Sequence, residues 1–230
     1  MKAMILAAGR GERMRPLTDS TAKPLLTVNG QPLIEYHLQK LAAVNVKEVI
    51  INHAWCGDKI EAKLGDGSRW GLTIRYSAEP EGGLETAGGI INALPLLGTD
   101  PFWLINADVF SGLPFAALPR TLADHDLAHL MMVPNPDHNP DGDFAVVNGR
   151  LTTKQSDRLS YTYAGMGLYR PQMFTGQAVD RLALRPFFEQ GIARKTLAAS
   201  IVDDNLWTDV GTPQRLQQLN QQLRGSHDLG

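Results

Sequence analysis

Short, continuously apolar runs alternate with stretches of helical spacing through the first 133 residues. No other feature of the chain limits its fold as strongly. Residues 2–6, 48–52, 73–77, 102–106 and 128–133 read as strands whose two faces are both covered. Residues 32–43, 57–64, 85–94 and 114–125 read as helices, the third ended by Pro95. Such alternation predicts an α/β fold in three layers, with a mostly parallel mixed sheet and right-handed crossovers.

Beyond Pro134 the texture changes. "PNPDHNPDGD" is a turn-rich loop. Residues 144–147 and 151–153 read as a hairpin around Asn148-Gly149. Strands follow at 161–169, 196–202 and 206–209, so a small additional β region is expected in the second half. A helix over 213–223 closes the fold, and 224–230 is a polar, frayed tail. With 230 residues and no linker or internal repeat, the whole chain reads as one domain.

Composition excludes several functions. Lys+Arg is 22 and Asp+Glu 24, so nothing marks a nucleic-acid-binding protein. The single cysteine, Cys56, permits neither an intrachain disulfide nor a Cys-rich metal site, and reads as inert. No apolar run approaches a membrane span and no signal peptide is visible, so a cytoplasmic location is expected. No coiled-coil pattern appears, and a monomer or weak dimer is expected.

The basic cluster is therefore local. "LAAGRGERMRPLT" follows the first strand, and ligands of open α/β sheets sit at strand carboxyl ends. A dinucleotide fingerprint would need a third glycine where Met14 stands. A Walker A loop would need Gly-Lys-Ser/Thr, which is absent. The remaining reading is an anion loop for a nucleoside triphosphate. Gly9 and Gly11 let backbone N–H groups approach phosphates, Arg15 and Lys23 neutralise them, and Pro16 and Pro24 stiffen the loop. A mobile surface loop with solvated arginines is the bland alternative. Asp108, just beyond the fourth strand, reads equally as an Asx turn or as an oxygen ligand for Mg²⁺.

That loop, with "KPLL", "EPEGGLETAGG", "NADV", "YAGMGLYRP" and "WTDVGTP" in order along the chain, resembles the sugar nucleotidyltransferase family. The resemblance implies a Rossmann-like nucleotidyltransferase fold, with a nucleotide-binding half (1–133) and a sugar-binding half (134–223). It implies an enzyme that joins a nucleoside triphosphate to a sugar 1-phosphate and releases pyrophosphate. Carried over by motif, Lys23 is the catalytic lysine on the α-phosphate and Arg15 binds the β- and γ-phosphates. Ala8, Gly9, Gly11, Glu12, Arg13, Glu79 and Gly83 complete the nucleotide site. Asn106, Asp143 and Gly165 are the sugar candidates, and Asp108 and Asp209 hold Mg²⁺.

The compact form, without hexapeptide repeats and with "LETAGG" and "WTDVGTP", most resembles family members that take UTP and N-acetylmuramate 1-phosphate, and so implies these substrates, in cell-wall recycling. GTP with mannose 1-phosphate is the alternative, because Glu79 suits the adjacent donors of guanine; glucose 1-phosphate with UTP or dTTP ranks lower. A nucleotide-binding regulator is the non-enzyme alternative. The family's Glu-Lys-Pro sugar-phosphate motif is missing, and Lys154 is the only lysine nearby. Arg158, Arg170 and Arg194 are candidates for a lactyl carboxylate. His37 and the four tryptophans read as packing residues.

Overall fold

The computed structural model describes residues 1–203, 205 and 207–227. In chain order these form β1 (Lys2–Leu6), β2 (Thr27–Val28), β3 (Gln31–Pro32), α1 (Leu33–Ala43), β4 (Glu48–His53) and α2 (Gly57–Leu64). Next come β5 (Thr73–Ala78), α3 (Glu85–Leu97), β6 (Phe102–Asn106), β7 (Val109–Phe110) and β8 (Ala128–Val133). The second half adds β9 (Phe144–Val147), β10 (Arg150–Thr152), β11 (Ser160–Tyr169), α4 (Arg185–Ala193), β12 (Leu197–Ile201), β13 (Thr208–Asp209) and α5 (Pro213–His227).

One nine-stranded sheet runs β5-β4-β1-β6-β11-β8-β12-β10-β9. Its first four strands are parallel, in register Ala3↔Val49 and Ala3↔Trp103. β11 is antiparallel to both β6 and β8, while β12 is parallel to β8. Alternate side chains feed two cores, as the period of a strand requires. Ile5, Ile51, Trp103 and Ile105 pack with Ile34, Leu38 and Leu41 of α1. Met4, Ile50, Phe102 and Leu104 pack with Ile90 and Leu97 of α3 and Phe188 of α4. A third cluster, Met14, Val28, Leu33, Phe110, Val210 and Leu219, ties the basic loop to α5.

Several boundaries differ from the sequence expectation, each for a local reason. Pro95 does not end α3: it sits in the last turn, and Leu97, fully buried two residues on, carries the helix to a Gly98 cap at φ 83°. Residues 114–125 hold no α-helix, only a 3₁₀ turn at Phe115–Ala117. Pro119 keeps Leu118 extended (φ −69°, ψ 145°). The expected hairpin turn is present, with Asn148 and Gly149 both at positive φ. α4 was not foreseen. α5 continues to His227, four residues into the expected tail. Of the strand expected at 206–209, Thr208–Asp209 forms, and Leu206 lies outside the described residues. No helix among the described residues is long and apolar enough to cross a membrane.

Candidate active site

A cleft opens at the carboxyl ends of β1 and β6 and holds three adjoining cavities of about 360, 410 and 300 Å³. Asn106, the last residue of β6, lines all three. Ala8, Gly9, Lys23, Glu79, Gly83 and Asp108 line the first cavity. Arg13, Asp108, Asp143, Gly165 and Asp209 line the third. The second shares Asn106, Asp143 and Tyr163 with the third.

The first cavity is held open by a buried relay. The Ala7 N–H donates to Asn52 Oδ1 at 2.8 Å, and Asn52 Nδ2 donates to Glu79 Oε1 at 2.6 Å. Glu79 Oε2 accepts from the Leu84 N–H at 2.8 Å. The end of β1 is thus fixed relative to the 79–84 loop, and the slot between Ala8 and Gly83 keeps its width. A Cβ built on Gly83 would lie 3.8 Å from the Ala8 carbonyl. Both Glu79 oxygens already hold a protein donor, so a base donor at Glu79 would share an oxygen with Asn52 or Leu84.

The basic loop divides by orientation. Met14 is fully buried in the third cluster, so its neighbours point to opposite sides. Arg13 faces the third cavity. Arg15 turns outward and pairs with Asp19 at 2.6 Å and Glu12 at 3.5 Å, and its hydrogen bond to Asp19 raises its pKa further. The expectation that Arg15 meets the triphosphate is therefore corrected: Arg15, Glu12 and Gly11 line none of the three cavities. Gly11 instead backs the loop, where a Cβ would sit 3.2 Å from Lys23 Cβ. Arg10 stacks on Trp55 at 3.7 Å and donates to the Thr18 carbonyl at 2.8 Å, pinning the loop to the body.

Lys23 is nearly buried and its Nζ lies 2.5 Å from Asp108 Oδ2. β7 and β13 pair as a short ribbon, with Asp209 opposite Val109 and the Val210 N–H donating to the Asp108 carbonyl at 2.8 Å. This ribbon places both aspartates in the third cavity. Asp209 Oδ2 lies 3.0 Å from Arg215 Nη1 and 3.6 Å from His138 Nε2. Burial, then the Arg215 charge, lowers the His138 pKa, while Asp209 opposes both. Two half-exposed carboxylates offer hard oxygen donors that fit Mg²⁺, an ion that takes few protein ligands and completes its shell with water and phosphate. Among the described residues no cluster of three or more His, Cys, Asp or Glu forms.

On the sugar side, Asp143 Oδ2 accepts from the Tyr163 N–H at 2.9 Å and Oδ1 from Asn139 Nδ2 at 3.2 Å. Gly165 sits in the irregular stretch of β11 at φ 71°, where a Cβ would fall 2.9 Å from Asn106 Nδ2. Lys154 is spent on the Gly142 and Asp141 carbonyls, and Arg170 on those of Asp126, Leu122 and Ala123. Neither these nor Arg158 and Arg194 line any of the three cavities of the cleft. His37 is buried and stacked on Phe115, as expected. Trp207 packs but also lines the third cavity. Sequence reading missed Asn52, His138, Arg215 and Arg185. Only Arg215, one turn after "WTDVGTP", lay near a motif that could have signalled it.

The sequence pattern of nucleotidyl transferases matches residues 2–226. The chain belongs to the nucleotidyl transferase family. The N-acetylmuramate alpha-1-phosphate uridylyltransferase of Neisseria meningitidis serogroup B is 50% identical, over 95% of this chain and 96% of that one. The enzyme of the same description from Caulobacter vibrioides is 31% identical over 92% of each. A mannose-1-phosphate guanylyltransferase of Mycobacterium tuberculosis is also 31% identical, but this chain spans only 64% of its length. The solved inositol-1-phosphate CTP transferase from T. maritima shares the fold, with a TM-score of 0.77, 18% identity and coverage of 96% and 94%. The family assignment makes this chain an enzyme, and its mixed sheet is the family's fold.

Proposed function

We propose that this nucleotidyl transferase joins UTP to N-acetylmuramate 1-phosphate, giving UDP-N-acetylmuramate and pyrophosphate, with Mg²⁺. N-Acetylmuramate is a peptidoglycan sugar, so the reaction belongs to re-use of cell-wall material. One observation carries the chemistry. Lys23 and Asp108 meet at 2.5 Å where the first cavity joins the third, and Asp209 lies across the β7/β13 ribbon. The 50% identity to a uridylyltransferase over almost the whole chain supports the choice of substrates.

The nucleophile is a sugar phosphate whose second pKa is about 6, so it is ionised without a general base. Catalysis is then positioning and charge stabilisation. Lys23 Nζ has three N–H donors and spends one on Asp108, leaving two for the α-phosphate. Arg13, facing the carboxylates, takes the role first expected of Arg15 and neutralises departing pyrophosphate. Ala8 and Gly83 hold the base in a slot, and Asn106, Asp143 and Gly165 frame the sugar. Asp108 and Asp209 would hold Mg²⁺, which supplies electrophilic stabilisation of the phosphates. Guanine recognition through Glu79 would have to share its oxygens with Asn52 and Leu84.

The test is pyrophosphate release with Mg²⁺, pairing UTP, GTP, dTTP, ATP and CTP with the 1-phosphates of N-acetylmuramate, N-acetylglucosamine, mannose and glucose. Preference for UTP and N-acetylmuramate 1-phosphate is expected. Preference for GTP with mannose 1-phosphate refutes the reading. Turnover that survives Asp108→Ala removes the proposed role of that carboxylate.

A further inference from the structure

We propose that the second cavity is a subsite for the 3-O-lactyl group of the sugar, with Arg185 on its carboxylate. The inference rests on N-acetylmuramate 1-phosphate being the substrate. That sugar differs from N-acetylglucosamine by one ether substituent, which carries a methyl group and a carboxylate. Its receptor needs an apolar wall and a cation with open hydrogen-bond donors. It must also adjoin the sugar position on the side away from the phosphate.

The second cavity meets each requirement. It shares Asn106, Asp143 and Tyr163 with the third cavity but includes neither Asp108 nor Asp209. Its wall is apolar: Phe188 meets Phe144 at 5.8 Å and Tyr163 at 5.4 Å between ring centres, and Leu184 closes the edge. Arg185, the first residue of α4, provides the cation. Its guanidinium lies 5.5 Å from the Phe144 ring centre, and its Nε is held by Glu189 at 3.0 Å. Among the described residues its Nη groups carry no hydrogen-bond partner, which leaves an end-on pair of donors for a carboxylate. The other charges of this cavity are engaged. Asp143 accepts from Asn139 and Tyr163, and Glu85 pairs with Arg181 at 3.2 Å.

Kinetics of the full chain and of Arg185→Gln test this, with UTP and Mg²⁺ saturating. N-Acetylmuramate 1-phosphate is compared with N-acetylglucosamine 1-phosphate and with the methyl ester of the lactyl group. Loss of one charge-assisted pair predicts a fall of about 30-fold in kcat/KM for N-acetylmuramate 1-phosphate, carried by KM. The preference over N-acetylglucosamine 1-phosphate then falls by the same factor. The unaltered chain loses a similar factor on the ester, and Arg185→Gln no longer distinguishes ester from acid. The ester arm needs no variant, so it tests the subsite even if the substitution disturbs α4. Equal losses on both sugars, or full activity on the ester, overturn the subsite while leaving the proposed reaction standing. Absence of any turnover of N-acetylmuramate 1-phosphate by the unaltered chain overturns the reaction itself, and the subsite with it.

Discussion

The Asn52–Glu79 bond is the sharpest test of how this fold prepares its nucleotide slot. Asn52 is 2% exposed at the end of β4, and its amide serves two partners. Oδ1 accepts from Ala7, the first residue after β1, at 2.8 Å, and Nδ2 donates to Glu79 Oε1 at 2.6 Å. Asn52→Ala removes one neutral bond, worth about 1 kcal/mol, and one bond to a carboxylate, worth about 2 kcal/mol. It also leaves a buried Ala7 N–H unpaired. A total loss of about 3–4 kcal/mol is expected by urea denaturation.

A double-mutant cycle separates the pair from its surroundings. With Asn52→Ala, Glu79→Ala and the double variant, the coupling should be about 2 kcal/mol. If the bond positions the slot as argued, KM for UTP should rise in both single variants, and the double variant should add little to either. A coupling below about 0.5 kcal/mol would refute the relay. So would a cycle in which stability couples and nucleotide KM does not move, because Glu79 would then hold the fold alone.

Three further outcomes follow from particular contacts. Arg13→Gln should slow turnover roughly 100-fold, as expected for loss of a charge facing the reacting phosphates, while Arg15→Gln should stay within about 3-fold; initial rates of pyrophosphate release decide, and the reverse order would restore Arg15. Gly165→Ala places a methyl group 2.9 Å from Asn106 Nδ2 at a φ of 71°, so about 1–3 kcal/mol of stability should be lost and KM for the sugar phosphate should rise; unchanged sugar KM would count against a close approach there. Burial, with Lys40 nearby, lowers the His37 pKa from 6.5 to about 4. The unfolded chain then binds the proton first, so the contribution is whole above about pH 6.5 and fades as pH falls towards 4, by about 1 kcal/mol at pH 5.5. Urea midpoints should show this slope in the parent chain and lose it in His37→Gln; equal slopes would mean that His37 protonates freely.

Much of the fold was legible because it depends on local pattern. The apolar runs of β1, β4 and β6 announce strands covered on both faces, and Asn148-Gly149 announces its turn. The failures arise where tertiary packing overrides local rules. Pro95 reads as a stop, yet burial of Leu97 outweighs the hydrogen bond that proline removes. Residues 114–125 have helical spacing, yet Pro119 breaks the segment. The site was legible as a set of motifs but not as directions. Arg13 and Arg15 are equivalent by composition, and only the folded loop distinguishes them, with Arg13 lining the cavity and Arg15 paired with Asp19. Asn52 and Arg185 lie outside every motif. Their roles exist only once β4 and α4 are brought beside the cleft.

Several charges of the cleft rest in pairs, and this bears on how such a site binds polyanions. Lys23 holds Asp108, Arg215 holds Asp209, and Arg181 holds Glu85. A nearly buried lysine or arginine left alone would be costly to keep charged. Paired, each is held in place before substrate arrives. Under the proposed function Asp108 and Asp209 would hold the divalent cation, which would leave the donors of Lys23 for the phosphates. Arg185 meets its ligand differently: its Nε stays with Glu189 at 3.0 Å, while its Nη groups are open among the described residues. In the proposed reading the reacting centre is built from mutually held ions, whereas recognition of the sugar substituent uses the open Nη edge of a guanidinium already paired through Nε.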